Sequence, residues 1–181
     1  MQMNYETSRL VLRILPQTAA GQVLRFYLDN QEIFEQCEPE RPKNFYTEEF
    51  QRTLLHCEYH LAVKQSAVRF WVFEKNSEQQ VIGTVSMQNI RRGPYQSCEL
   101  GYKFDHRFWG RGYARESIYQ AVSVAFDDMK LHRIEALVLP DNLPSQRLLE
   151  ALGFHKEGIK KQSVLLQGAF RDHEVYALLA G

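Results

Sequence analysis

No run in this chain approaches the ~18 consecutive apolar residues that a membrane span requires. Met1 to Arg9 is polar and charged, without the apolar stretch of a secretory leader. Cysteine is scarce: Cys37, Cys57 and Cys98 are scattered, odd in number and free of any C-x-x-C spacing. That pattern offers neither a disulfide framework nor a metal site, and fits thiols in a reducing cytoplasm. An excess of one charge is also missing. Twenty-two basic and twenty-two acidic side chains cancel, so bulk attraction to nucleic acid or to an anionic membrane is not expected. There are no internal repeats, low-complexity tracts or linker-like stretches. What remains is a chain of 181 residues, 44% hydrophobic and 24% charged. Those are globular proportions, and the length suits one domain, residues 1–181, with a full-sized core.

The hydrophobic pattern places a first strand at Arg9–Leu15 and a helix from about Thr18 to Asp29. Two prolines, Pro39 and Pro42, make 37–42 a loop. Thr47 suits the N-cap of a second helix reaching about Val63. Val68–Glu74 and Val81–Ile90 read as strands, and Arg91–Pro94 turns the chain into a strand at Ser97–Phe104. Next come a helix from Tyr113 to Met129, a strand at Arg133–Leu139 and a short helix at Leu143–Leu152, stopped by Gly153. Strands at Lys160–Leu166 and Phe170–Leu179 close the order β-α-α-β-β-β-α-β-α-β-β. Strands with interspersed helices imply a mixed α/β (α+β) fold, a sheet with helices on its faces.

The most informative stretch is Arg107-Phe108-Trp109-Gly110-Arg111-Gly112-Tyr113-Ala114. It lies between the Ser97 strand and the helix that follows. Gly110 and Gly112 lack a Cβ, so positive φ costs little there and a ligand can press against the backbone. The first N–H groups of the helix have no internal acceptor and sit at its positive end. With Arg107 and Arg111 beside them they make an anion site. The plain alternative is a glycine turn entering a helix. A Walker loop is excluded, because no Gly-Lys-Ser/Thr is present, and so is the dinucleotide fingerprint, whose third glycine position holds Arg115.

The pattern Arg-x-x-Gly-x-Gly-x-Ala resembles the pyrophosphate loop of the GNAT superfamily of acetyl-CoA-dependent N-acetyltransferases. The resemblance implies that Arg107, Trp109, Gly110, Arg111, Gly112, Tyr113 and Ala114 hold the diphosphate of acetyl-CoA. A second stretch, Asn142-Leu143-Pro144-Ser145 running on to Gly153-Phe154, reads locally as a capped amphipathic helix. It is also similar to the GNAT arrangement, in which the Asn side chain binds the cofactor arm and the residue three later faces the thiol. The element order is that of the GNAT fold, so the resemblance spans nearly the whole chain. It implies a mostly antiparallel sheet in which Cys98–Phe104 splays from a parallel neighbour at Ile134–Leu139. Tyr102 and Phe104 would line the gap, with pantetheine amides pairing like a missing strand.

Attack of an amine on a thioester needs a base for the amine, dipoles for the oxyanion and an acid for the departing thiolate. No covalent nucleophile is required, so direct transfer is the expected route. Glu99 is the candidate base, acting through water; a solvated surface glutamate is the alternative. Many GNAT enzymes place a Tyr seven residues after the motif Asn, but Leu149 stands there. Ser145 is similar to the serine that the ribosomal-protein branch of the family places near the cofactor sulfur, and the resemblance makes it the candidate for the group there. Local signatures such as Cys37-Glu38-Pro39, Glu99-Leu100-Gly101-Tyr102 and Gly168-Ala169-Phe170-Arg171-Asp172 resemble the RimJ/RimL branch. The resemblance implies acetylation of the N-terminal α-amine of a ribosomal or other protein; the chain itself is expected to be a monomer or homodimer. An α-amine, with a pKa of ~7.7–8, keeps a sizeable neutral fraction near pH 7, whereas a lysine at ~10.4 does not. The rival acceptors are small amines: an amino acid, a polyamine or an antibiotic. A non-catalytic acyl-CoA-binding module is the rival from another class. The acceptor groove is expected along the 37–45 loop, the second helix and the hairpin near Asn89 to Tyr95.

Overall fold

A computed structural model describes residues 1–181 of the chain. Its strands are β1 (Asn4–Glu6), β2 (Leu10–Arg13), β3 (Val68–Glu74), β4 (Gly83–Arg91), β5 (Ser97–Phe104), β6 (Arg133–Val138), β7 (His155–Leu166) and β8 (Ala169–Leu179). The helices are α1 (Ala20–Asp29), α2 (Gln31–Cys37), α3 (Glu48–Val63), α4 (Tyr113–Ser123) and α5 (Leu143–Ala151). All eight strands form one sheet in the order β1-β2-β3-β4-β5-β6-β8-β7. Neighbours are antiparallel except β5 and β6, which run parallel.

Alternation along a strand sends successive side chains to opposite faces, and in β2 and β3 both faces are covered. In β3, Phe70 and Val72 join one apolar cluster while Trp71 and Phe73 join the other, which is why the strand reads as a nearly unbroken hydrophobic run. The first cluster packs Cys98, Leu100 and Phe104 of β5 against Ile118 and Ala121 of α4 and Leu149 of α5. The second packs Trp71 and Phe73 against Val23, Phe26 and Tyr27 of α1, Phe34 of α2 and Leu55 of α3. The sheet thus separates an α4–α5 side from an α1–α3 side.

Three elements differ from the sequence expectation. β1 is a three-residue edge strand whose Asn-Tyr-Glu carries no hydrophobic alternation. α2 is an added helix joined to α1 at Asn30, a buried residue whose amide donates to the Phe26 carbonyl at 3.0 Å. β7 begins at His155 rather than Lys160, with two irregularities in its register against β8. The helix expected to reach Met129 does so through a wider turn, Val124–Asp128, closed by Met129 N–H on the Val124 carbonyl. Thr47 caps α3 as expected, accepting from the Phe50 N–H at 3.2 Å.

The feature that positions the site is the end of the parallel pair. β5 and β6 are in register from Ser97↔Arg133 to Leu100↔Ala136 and no further. Beyond that point β5 stays with β4 to the Gly83↔Phe104 pair, and β6 stays with β8 to Val138↔Glu174. The two strands therefore diverge after Leu100 and leave a slot whose facing edges have no strand partner. Gly83 fixes the far end: a Cβ there would lie 2.2 Å from the Phe104 ring. Phe104 occupies that space and pins β5 against β4.

Candidate functional site

The loop after β5 opens directly into α4. Gly110 and Gly112 both adopt left-handed φ, 74° and 77°. Gly112 is the N-cap of α4 and no side chain caps it. None of the six backbone N–H groups from Gly110 to Arg115 meets an acceptor in the chain; the first helical bond is Glu116 N–H to the Gly112 carbonyl. Six consecutive unpartnered donors at a helix start are a backbone arrangement that suits an anion. Arg9, arriving from the start of β2, lies over the Tyr113 ring at 4.8 Å and donates to the Arg111 carbonyl at 3.0 Å. An open pocket of ≈ 520 Å³ borders this helix start, lined in part by Arg9, Gly112, Arg115 and Glu116.

Side chains of the same loop brace it. Arg107 is held by Asp105, whose Oδ1 accepts from the Arg107 N–H at 2.9 Å and Nε at 3.0 Å, and by Asp29 at 2.8 Å. The expectation that Arg107 lends charge directly to an anion changes accordingly: its guanidinium already faces two carboxylates. Asp105 is fully buried. Burial opposes its ionisation, but the Arg107 side-chain and backbone hydrogen bonds outweigh that and hold the carboxyl below its usual range. Trp109 donates Nε1–H to the Phe104 carbonyl at 2.9 Å, tying the loop to the end of β5. Tyr113 donates to Glu74 at 2.5 Å. The Arg111 guanidinium lies 5.0 Å from the Phe108 ring and stays exposed. Ala114 is half-buried in the first turn of α4.

The other side of the slot is built by α5. Asn142 is its N-cap, with Oδ1 accepting from the Ser145 N–H at 3.2 Å. The Asn142 amide NH₂ is left without a partner in the chain, so capping and ligand binding are compatible uses of one side chain. Ser145, half-buried, meets Tyr102 from β5, Oη to Oγ at 2.5 Å. Tyr102 belongs to the segment of β5 that has left β6. Leu149 is completely buried among core residues, so the position seven after Asn142 is structural here.

Glu99 lies within the paired part of β5, opposite Gln88 of β4 and Glu135 of β6. Its Oε2 accepts from Asn89 Nδ2 at 2.9 Å, and Asn89 takes φ 49° where the β4–β5 register shifts. By strand alternation Glu99 faces the α1–α3 side and Tyr102 the α4–α5 side. Cys98 is buried, and burial followed by the neighbouring Glu99 pushes its thiol up to about 12, far from nucleophile chemistry. On the α1–α3 side, the 37–45 loop brings Glu38 onto Lys103 and Arg41, and Arg69 pairs with Glu58 at 2.7 Å. Burial, then the guanidiniums of Arg41 and Arg69, pull the Lys103 ammonium down to about 6. A second open pocket of ≈ 320 Å³ sits between Pro140-Asp141 and the β7–β8 hairpin, where Phe170, Arg171 and Asp172 line it.

Sequence reasoning missed the Asp105 brace and the Arg9 reach, and it gave Tyr102 no partner. A polar residue directly before a glycine loop is a weak signal for the first. The other two have none, because the contacting residues are far apart along the chain.

Comparison with known proteins identifies the family and the fold. Residues 9–155 match the family described as acetyltransferase (GNAT) domain. The chain is 39% identical to a probable N-acetyltransferase, YjcK, of Bacillus subtilis, over 94% of this chain and 93% of that one. It is 34% identical to the [ribosomal protein uS5]-alanine N-acetyltransferase of Escherichia coli, over 95% and 88% of the respective chains. Among solved structures, a ribosomal-protein-S5-alanine acetyltransferase from Vibrio fischeri superposes with a TM-score of 0.93 at 31% identity, covering 98% and 97%. RimJ of Mycobacterium smegmatis, solved in complex with CoA-disulfide, gives 0.87 at 26% identity, covering 94% and 82%. No helix is long and apolar enough to cross a membrane.

Proposed function

Since the chain belongs to the GNAT acetyltransferase family and is an acetyl-CoA-dependent N-acetyltransferase, we propose that its acceptor is the N-terminal α-amine of a protein, a ribosomal protein being the expected partner. The observation that carries the placement of the cofactor is the run of six unpartnered amides from Gly110 to Arg115 at the mouth of the slot. Donors in that number at a helix start suit a diphosphate and have no other use in the fold. The slot between β5 and β6 takes the extended arm, against backbone edges of Gly101–Phe104 and the free amide of Asn142. Acetyl-CoA supplies an acyl group already activated as a thioester, so the protein has to position and manage protons.

Ser145 lies beside the slot and hydrogen-bonds the leaving sulfur. Glu99 takes the proton of the incoming amine through water, with Asn89 orienting its carboxylate. The acceptor approaches along the α1–α3 side past Gly101, Glu99 and the 37–45 loop. The α-amine reading draws on the uS5-alanine relative and on the modest deprotonation that an α-amine requires. Glu99→Gln should lower kcat roughly tenfold at neutral pH, less than the ~10²–10⁴-fold typical of general-base catalysis because an α-amine is already partly neutral there. An unchanged kcat would remove Glu99 from the mechanism. The acceptor is tested by presenting peptides with free Ala, Ser or Met N-termini beside spermidine, amino acids and aminoglycosides, and by weighing the products. Acetylation confined to small amines would overturn the protein-acceptor reading.

A further inference from the structure

The helix position that would carry a phenol toward the sulfur is occupied by Leu149, which is sealed in the core. A phenol reaches the same place from a different element. Tyr102 rises from β5 just beyond the last β5–β6 pair, and its Oη sits 2.5 Å from Ser145 Oγ on α5. Its only other polar neighbour is the Ser145 carbonyl at 3.5 Å. We propose that Tyr102 is the positioning residue for Ser145: its phenol donates to Oγ and leaves the serine's own proton directed into the slot. This rests on the reading of Ser145 as the group that hydrogen-bonds the leaving sulfur.

The direction of the bond follows from acidity. A phenol is a much stronger acid than an alkyl hydroxyl, so in a phenol–serine pair the phenol donates and the serine oxygen accepts. Burial pushes the Tyr102 hydroxyl up to about 12, so it keeps its proton throughout the working range. A serine in the first turn of a helix otherwise has a backbone carbonyl within reach of its hydroxyl and an unfixed rotor. An accepted hydrogen bond polarises Oγ–H and strengthens what it donates onward. The pair contributes a hydrogen bond to the departing sulfur, not a net proton transfer, and it ends the reaction as it began.

The test is a cycle of Tyr102→Phe, Ser145→Ala and the double variant, with kcat, KM for acetyl-CoA, coenzyme A affinity and melting temperature measured for each. Phe retains the ring and its packing against the core. Ser145→Ala is expected to lower kcat about tenfold, with coenzyme A affinity within twofold. Tyr102→Phe should lower kcat about five- to tenfold at unchanged KM, and the double variant should be no slower than Ser145→Ala alone. A readout independent of turnover is the ¹³Cζ resonance of labelled Tyr102, assigned through the Tyr102→Phe variant. Ser145→Ala should move it in the protein without ligand. If Ser145→Ala lowers kcat but Tyr102→Phe leaves it intact, or the two losses multiply, or the resonance stays put, the positioning role is refuted. If Ser145→Ala itself leaves kcat intact, the reading of Ser145 is what fails.

Discussion

Gly112→Val should reduce coenzyme A affinity by at least a hundredfold while leaving the fold in place. Gly112 is the N-cap of α4 at φ 77°, a conformation that a β-branched residue adopts only under strain of ~1–3 kcal/mol. A new side chain would also meet the Arg9 guanidinium, since a Cβ alone already comes within 3.4 Å of Nη2. Relaxing toward negative φ rotates the peptide planes on either side and turns the N–H groups of 112 and 113 away from their neighbours. The converging run of donors is then broken in its middle. Strain of that size lowers the melting temperature by only several degrees in a chain of this length. Calorimetry with coenzyme A and a thermal melt on the same sample separate the two effects. Coenzyme A affinity within threefold of the wild type would show that the amides of this loop do not hold the ligand.

Asp105→Ala should be the most destabilising polar substitution near the site, by about 2–3 kcal/mol. The carboxylate is fully buried and fastens Arg107 through its N–H and guanidinium. Breaking a buried pair costs ~3–5 kcal/mol; the discount reflects an Arg107 side chain that is 46% exposed and keeps Asp29. Loss of the brace also frees the segment that leads into Gly110, so coenzyme A affinity should fall with stability. The pH dependence has a definite sign. The Asp105 carboxyl lies below its ordinary value in the folded chain, so its contribution is complete above the unfolded value of ~3.9 and fades as pH falls through the folded one. The stability gap between wild type and Asp105→Asn should accordingly be flat from pH 6 to 8 and narrow only in acid. A gap that widens below pH 4 would contradict the assignment.

Elements with a strong local period were readable from residue order alone. β3, β4 and β5, α3 with its Thr47 cap, and α5 from Asn142 to its glycine stop lie where patterning and capping chemistry put them. β1 was not readable, since three polar-flanked residues carry no period and are ordered by pairing with β2. α2 was hidden because its seven residues are too few for a helical stripe, and because Asn30 joins it to α1 by a buried contact to Phe26. The glycine loop and the Asn-x-x-Ser helix start were legible as chemistry, because each is a contiguous motif whose backbone donors follow from local geometry. The partners of those motifs were not. Tyr102 and Ser145 are forty-three positions apart, and only the divergence of β5 from β6 brings the phenol to the helix. Arg107 illustrates the converse: residue type suggested a phosphate ligand, yet Asp105 and Asp29 claim its guanidinium once the chain is folded.

Cofactor binding depends on the free amides at the start of α4, and they can be observed one by one. An ¹⁵N–¹H titration of the assigned protein with coenzyme A should move the resonances of Gly110 to Arg115 more than any others outside the slot, with the downfield proton shifts that charge-assisted hydrogen bonds produce. Pantetheine, which lacks the diphosphate, should leave those six signals in place while shifting residues of the slot. Saturation by coenzyme A with the amides of 110–115 unmoved would contradict the account at its base.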